Sequence, residues 1–277
     1  MPARFSLSRT ALAVATLFLM ATPAPNWAAH PYITDDAGTQ GAGNWQLELM
    51  AEQNRNDRTA STSDGVVRQN RRVTTFNPVL TYGLLDTLDV AFGLSHASQR
   101  TTENGATTQD VSGTGDSALE LKWRFYEANG LSLALKPGLA LPTGDENRGL
   151  GNGRLSWNIN FILTQEVKPW TFLANVAYAR SRFKLPADAE ANRADVWRAS
   201  AGLAYDLRDD VQLVGEAGIR TNGARTDPFL PGRNGQFAML GLIYSPSDKI
   251  DLDVGVRKGL NRAEFDTTIL VGATFRW

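Results

Sequence analysis

Apolar and polar residues alternate at every second position through most of this 277-residue chain. The pattern is clear in the last twelve residues, DTTILVGATFRW, where every second residue from Ile269 to Trp277 is apolar. Successive side chains of a β-strand point to opposite faces, so the alternation predicts strands with one apolar face and one mostly polar face. We therefore expect an all-β fold.

Twelve segments follow this pattern, and each has about the length of a strand that crosses a bilayer, roughly ten residues. The predicted strands lie near residues 44–53, 70–82, 88–99, 117–126, 131–141, 155–166, 170–181, 195–206, 211–221, 235–245, 249–258 and 265–277. Two of them contain a proline, Pro78 or Pro137, which lacks the N–H that a strand ladder uses. We expect a β-bulge near residues 136–138 to accommodate Pro137.

The connections between these strands alternate between short and long. Turns such as EANG and SPSD are brief, whereas NDRTASTSDGVVR, RTTENGATTQDVSGTG, TGDENRGLGNG and TNGARTDPFLPGRN are long and polar. Short turns at one end and long loops at the other are typical of outer-membrane barrels. The pattern therefore predicts a transmembrane, up-and-down antiparallel β-barrel of about 12 strands, which we expect to be monomeric.

The N-terminal residues do not fit the barrel pattern. Two arginines, an apolar run at residues 11–21 and the small-residue sequence TPAPNWAA are typical of a secretory signal peptide. We expect residues 1–29 to be a cleaved signal peptide. Residues 30–43 would then be a periplasmic lead-in or a plug that enters the barrel, and residues 44–277 would be the barrel itself.

The contrast between strand faces indicates which face meets lipid. In the predicted strands at 117–126, 131–141 and 155–166, one phase is rich in Leu, Trp and Phe and carries no charge. A charge at the bilayer midplane costs roughly 2–4 kcal/mol, so an uncharged phase fits a lipid-facing surface. The alternative is a soluble β-sandwich with a buried C-terminal strand. The strand at 235–245 is apolar on both phases, and its facing stays open.

The large aromatic residues lie near strand ends, on the apolar phase. Amphipathic rings collect at the membrane–water boundary, whereas a soluble core would hold them in mid-strand. We expect an aromatic girdle that comprises Trp45, Tyr82, Trp123, Trp157, Trp170, Trp197, Tyr205 and Trp277. Trp277 is expected to face lipid at the periplasmic boundary.

The opposite phase carries charged and amide side chains that are expected to point into the lumen. They could line a pore and select small polar solutes, or they could pair across strands and brace the wall. The candidates are Glu120, Lys122, Arg124, Lys136, Asn158, Asn160, Asn175, Arg198, Glu216, Arg220, Asp253 and Arg257. The two roles are compatible, and the sequence leaves both open.

The sequence offers little for catalysis, metals or cofactors. It contains no cysteine and two histidines, His30 and His96. Ser95 neighbours His96 but points to the opposite strand face, and Ser98 lies about 7 Å further along the strand. A Ser–His pair needs hydrogen-bond contact and a third group that orients the base. We therefore expect no enzyme activity, no catalytic residue, no metal and no cofactor, and no charge block indicates a nucleic-acid partner.

Several stretches resemble one known family of bacterial outer-membrane proteins. They are HPYITDDAGTQGAGNWQLEL (30–49), GTGDSALELKWRFYE (113–127), LALKPGLALPTGDENRGLG (133–151) and DLDVGVRKGLN (251–261). The family is named for the meta-pathway of phenol degradation, and its members are often labelled transporters. The resemblance implies an outer-membrane barrel associated with uptake of aromatic or hydrophobic compounds. It also implies that the terminal aromatic strand is read by the barrel-assembly machinery.

Together these observations predict a channel of the Gram-negative outer membrane. We expect it to lie in outer-membrane lipid and to pass small organic solutes passively, with aromatic or hydrophobic solutes favoured only by the resemblance. The lumen charges suit polar solutes better, and this conflict stays open. The alternatives are a structural or adhesive barrel plugged by residues 30–43 and, third, a lipid-modifying enzyme.

Overall fold

The computed structural model describes residues 31–62 and 65–277. The expected signal peptide and His30 lie outside the described residues. The described part of the chain forms one 14-stranded antiparallel sheet that closes on itself. Two wall strands are each divided in two by a short break, so the closed wall contains twelve strands.

The strands follow one another around the ring in chain order, with neighbours joined by hydrogen bonds. Their bounds are β1 Trp45–Thr62, β2 Gly65–Leu85, β3 Leu88–Gly93, β4 His96–Glu103, β5 Ala106–Thr114, β6 Ser117–Ala128, β7 Leu131–Leu141, β8 Ser156–Val167, β9 Trp170–Arg180, β10 Asp195–Arg208, β11 Val211–Thr221, β12 Asn234–Ser247, β13 Ile250–Gly259 and β14 Thr267–Arg276. The described helices are a 3₁₀ turn at Glu146–Arg148 and α1 at Pro186–Ala191. Neither is long and apolar enough to cross a membrane.

The barrel closes between its first and last strands. On one side β1 pairs with β14, with Leu47 opposite Phe275, and on the other side it pairs with β2, with Trp45 opposite Tyr82. Closure gives every wall strand two partners, as a bilayer without water requires. Among the described residues β5 pairs with β4 alone, and the β4–β5 hairpin extends beyond the twelve-stranded ring.

Pro78 explains why the third wall strand is divided into β3 and β4. The β2–β3 register ends at Val79 opposite Gly93, and the β2–β4 register begins at Phe76 opposite His96. The Pro78 carbonyl accepts a hydrogen bond from Leu94 N at 3.0 Å. Proline has no N–H to return, so the ladder is interrupted at this point.

The prediction of a β-bulge near residues 136–138 is wrong. β7 pairs with β8 in unbroken register through Pro137, and the register with β6 is the same before and after it. The ladder with β6 instead skips the two residues opposite Lys136 and Pro137, because the proline nitrogen donates no hydrogen bond. The register shift lies further along, between Arg124 and Tyr126.

Two sequences that were expected to be loops are mostly strand. NDRTASTSDGVVR extends the β1–β2 hairpin, and RTTENGATTQDVSGTG forms most of the β4–β5 hairpin. Both hairpins rise above the apolar band and meet water, so their sequences lack the apolar phase that marks a lipid-facing strand. Backbone ladder bonds hold them together nonetheless.

The two faces of the wall differ sharply in polarity. Exposed aliphatic side chains cover the outside, such as Val254 at 47% and Val256 at 45%, whereas Asp253 and Arg257, which flank them in the same strand, are 8% and 6% exposed. β12, whose facing the sequence left open, buries Phe237 and Met239 and exposes Leu240. The apolar outer face fits lipid, and the polar inner face encloses a lumen.

Aromatic rings pair across strands near both ends of the apolar band. At the periplasmic end, Trp45 lies 4.5 Å from Tyr82 and Trp170 lies 4.5 Å from Tyr205, measured between ring centroids. At the extracellular end, Tyr178 lies 4.7 Å from Trp197. The remaining expected girdle residues are more than 40% exposed on the outer face; they are Trp123, Trp157, Trp197 and Trp277. With the apolar band between them, they give the outer surface of an outer-membrane barrel.

A lysine in the middle of this band should destabilise the barrel far more than one at its edge. We expect Val254→Lys to lower the free energy of unfolding by roughly 2–4 kcal/mol, because Val254 lies in mid-band. The control Ile250→Lys, on the same face at the periplasmic edge, should cost about 0–1 kcal/mol. Urea titration in lipid vesicles measures both, and equal costs would contradict the lipid-facing assignment.

Candidate functional site

The segment that precedes β1 lies inside the barrel. Tyr32, Thr34, Asp35 and Ala37 are each 5% exposed or less, although none of them belongs to a strand. Because the segment has no ladder partner, wall side chains must satisfy its backbone groups. Thus Ala37 N donates to Thr164 Oγ1 at 2.9 Å. We call residues 31–44 the lumen segment.

Asp35 is the electrostatic centre of the lumen segment. Its carboxylate accepts from Lys122 Nζ at 2.9 Å and from Lys136 Nζ at 2.7 Å, and Lys136 also pairs with Glu120 at 3.0 Å. Burial by itself would raise the pKa of Asp35, but the two ammonium groups outweigh it and lower the pKa. The carboxylate therefore stays ionised and holds two wall strands, β6 and β7.

Glu216 on β11 holds the segment from the opposite side of the lumen. Its carboxylate accepts from Thr34 N at 2.7 Å, from Thr34 Oγ1 at 2.6 Å and from Ile33 N at 2.9 Å. Thr34 Oγ1 also lies 2.7 Å from Ser200 Oγ. Glu216 and the lysines on β6 and β7 thus fix the segment across the full width of the barrel.

Glycines in the wall make room for the lumen segment. A Cβ at Gly202 would lie 3.1 Å from the Tyr32 ring, and one at Gly241 would lie 2.9 Å from Pro31 Cγ. At the periplasmic rim, a Cβ at Gly83 would overlap the Gly41 carbonyl at 1.8 Å. At Gly83 only glycine permits the approach, and at Gly202 and Gly241 a larger residue would require the segment to shift, so the wall is shaped to receive the segment.

The extracellular end of the lumen is covered by inward-folded loops. Arg58 pairs with Asp266 at 2.7 Å and donates to the carbonyls of Phe229 and Glu264 at 2.9 and 2.6 Å. Arg220 Nη2 reaches the Glu264 carboxylate at 2.6 Å. Phe229 is 6% exposed, so the loop after β11 enters the barrel mouth rather than standing above it.

A cavity of about 490 Å³ remains below the lumen segment, on the periplasmic side. Tyr32, Leu173, Ala204 and Ile243 give it an apolar wall on the β9–β12 side. The other side is charged and is lined by Glu48, Asp89, Glu120, Lys122 and Lys136. The cavity therefore presents an apolar wall opposite an ionic one.

The residues expected on the lumen face lie at several heights in the barrel. Next to the lumen segment are Glu120, Lys122, Lys136, Asn158, Asn160, Asn175, Arg198 and Glu216, which are buried or nearly so. Asp253 and Arg257 face inward on β13, where Arg257 pairs with Glu52 at 3.2 Å, and Arg220 lies towards the mouth. Arg124 lies at the periplasmic rim, where it donates to the Asp86 carbonyl at 3.1 Å.

Sequence reasoning missed several interior residues. Glu48 and Glu52 alternate inward on β1 and could have been found by phase. Arg71 lies within the predicted strand at 70–82 and could also have been found by phase. Arg58 lies in a stretch that was expected to be a loop, and Glu264 lies in a turn, so no alternation marked these two. Asn175 was expected on the lumen face, but its contact was not: with its amide oxygen oriented to accept from Asp35 N at 2.8 Å, it meets the backbone of the lumen segment, which alternation cannot reveal.

His96 has a serine partner that the sequence did not suggest. His96 Nε2 lies 3.2 Å from Ser112 Oγ across the β4–β5 hairpin, on the exposed outer face. Among the described residues no carboxylate is hydrogen-bonded to this histidine, so the third group of a triad is missing there. Within the same residues, no group of three His, Cys, Asp or Glu could hold a metal ion.

Comparison with protein families places the chain in one of them. The profile of the family described as "Putative MetA-pathway of phenol degradation" matches residues 34–277. The chain belongs to this family, and the match begins within the lumen segment and runs to the last residue of the barrel. The comparison with curated proteins found no match.

Solved structures with the same fold are outer-membrane barrels. An outer membrane channel from Pseudomonas putida superposes with a TM-score of 0.66 at 16% identity, covering 87% of this chain and 98% of that one. The NanC porin gives 0.53 at 10% identity, covering 83% and 98%. A mutant of the TodX monoaromatic hydrocarbon channel gives 0.51 at 12% identity, covering 85% and 90%. The fold is thus that of a barrel of the Gram-negative outer membrane.

Removing the Asp35 charge should release the lumen segment. Asp35→Asn leaves Lys122 and Lys136 buried without their shared counter-ion, and breaking a buried pair costs roughly 3–5 kcal/mol. We expect longer and larger open states in single-channel recordings. Asp36→Asn is the matched control, because among the described residues the Asp36 carboxylate accepts a hydrogen bond only from Gly38 N, within the segment itself. Identical recordings from the two variants would contradict this role for Asp35.

Proposed function

We propose that this barrel is a passive channel for small organic solutes, in which the lumen segment acts as the gate. Passage needs no cofactor in this proposal, because a solute moves down its own concentration gradient. The observation that carries the proposal is the cavity of about 490 Å³ that lies between the wall and the lumen segment. Twelve strands make a barrel too wide for wall side chains alone to fill.

The cavity fits a solute with an apolar body and a polar group. An apolar cavity of about 150 Å³ is enough to hold benzene, so 490 Å³ accommodates a substituted aromatic ring. Leu173, Ala204 and Ile243 would contact the ring, and Lys122 on the ionic side would meet a hydroxyl or carboxylate. This mixed lining reconciles the charged lumen with the aromatic compounds associated with the family and with the channel named above.

The lumen residues would act in passage mainly by holding or releasing the segment. While the segment is in place, four charged side chains form ion pairs and hydrogen bonds with the wall and with residues 33–35; they are Glu120, Lys122, Lys136 and Glu216. When it moves, the same groups become available to water and solute. The structural and the pore-lining roles of these residues are then two states of one network.

Deleting residues 31–40 should open the barrel. The deletion removes the part of the lumen segment that lies inside the barrel but leaves every wall strand intact, so we expect a larger and steadier conductance in planar bilayers than in the full chain. Liposome swelling should show faster entry of a benzoate-sized solute in the deletion variant. The full chain should still pass this solute measurably. If it passes none whereas the deletion variant does, the barrel is a closed structural or adhesive one.

We further propose that the barrel-assembly machinery recognises β14. This strand alternates to its last residue and places Phe275 and Trp277 on the lipid-facing phase beside the β1 seam. Removing Trp277 should lower the yield of folded barrel in cells, measured as heat-modifiable mobility on a gel. Substituting Trp123, an exposed girdle residue of another strand, by Ala is the control, and an equal loss would argue for girdle anchoring instead.

A further inference from the structure

Four basic side chains form a row across the outer face of the barrel. Arg55 lies directly opposite Arg72 in the β1–β2 pair, and Arg72 lies directly opposite Arg100 in the β2–β4 pair. On the other side of β1, Thr267 lies opposite Arg55 and Lys258 lies opposite Thr267. All four basic residues are exposed. We call Arg55, Arg72, Arg100 and Lys258 the basic row.

The basic row lies at the extracellular edge of the apolar band. Arg55 is ten residues above the periplasmic Trp45 on β1, and Arg72 is ten residues above Tyr82 on β2. Ten strand residues span about 33 Å, which at a tilt of about 40° gives a height of about 25 Å. This is the height of the lipid-facing band, so the row lies where the headgroups of the outer leaflet begin.

The other side of the barrel is built differently at the same height. Ten residues above Trp170 and Tyr205, β9 and β10 carry Arg180 and Asp195, which neutralise each other at 2.7 Å. Just below this pair, Tyr178 packs on the Trp197 ring. That face therefore has a neutral aromatic boundary with the headgroups. The face formed by β13, β14, β1, β2 and β4 has a positive boundary instead.

Within the described residues, none of the four basic side chains takes part in an ion pair. Arg55, Arg100 and Lys258 donate to the neutral groups of Gln53, Thr107 and Thr267. Asp110 lies opposite Arg100 in the strand register but forms no ion pair with it among the described residues. Asp57, which lies two residues above Arg55 on β1, forms an ion pair with Arg68. Like charges directly opposite each other destabilise a sheet, so this row needs anions from outside the chain.

We propose that the basic row binds the phosphate groups of lipopolysaccharide, the glycolipid of the outer leaflet. Arginine and lysine at headgroup height meet such phosphates without leaving the membrane surface, and two adjacent guanidinium groups suit a bidentate contact with phosphate oxygens. The apolar side chains below the row, including Phe76 and Ile269, would contact the acyl chains of the same molecule. The lipid thereby becomes a fixed neighbour of one side of the barrel.

The test compares two faces of the intact protein. The full-length barrel is purified in detergent, stripped of lipid and titrated with purified lipopolysaccharide, with bound lipid measured by native mass spectrometry. Arg55→Gln with Arg72→Gln should weaken binding roughly thirtyfold, at about fivefold per lost charge. Arg180→Gln on the opposite face is the matched control and should bind as the parent does.

A second arm separates phosphate recognition from general adhesion. The parent protein should bind chemically dephosphorylated lipopolysaccharide as weakly as the double variant binds the native lipid. Equal binding of both lipids by the parent, or an equal loss in Arg180→Gln, overturns the proposal. Heat-modifiable mobility shows that each variant is folded, and Arg72→Gln alone replaces the double variant if that one folds poorly.

Discussion

Every backbone N–H and C=O group in a bilayer must find its partner within the protein, and the rest of this structure depends on that requirement. β1 meets it by pairing with both β2 and β14, so the wall has no free edge. The consequence reaches individual residues. Pro78 cannot complete the ladder, and the third wall strand is divided beside it, with Leu94 N retaining the one bond that the proline carbonyl offers.

Closure at twelve strands creates a second requirement, because the interior is wide and its charges need partners. The chain meets it with its own N-terminal residues. Asp35 places one carboxylate between two lysines, Glu216 caps the backbone of Thr34, and Gly202 leaves space for Tyr32. A buried charge with no partner is costly, so the segment and the wall stabilise each other's ionised state.

Charged side chains are therefore stabilised in different ways inside and outside the barrel. Inside, opposite charges on different strands and on the lumen segment are brought within hydrogen-bond distance. Outside, Arg180 and Asp195 pair on one face, whereas Arg55 and Arg72 stand opposite each other on the other face. A membrane protein can leave such charges to its surroundings only where headgroups and water reach them.

The sequence by itself determined the wall. Period-two alternation specifies which residues face lipid, and the lengths of the apolar phases fix strands such as β7 and β9 almost to the residue. It missed most of the β4–β5 hairpin, because neither strand of the hairpin carries a continuous apolar phase. The position of the lumen segment, the Asp35–Lys136 contact and the opposition of Arg55 to Arg72 were decided only by tertiary structure. These contacts join residues far apart in the chain, and their spacing follows from barrel closure and register, which no local pattern encodes.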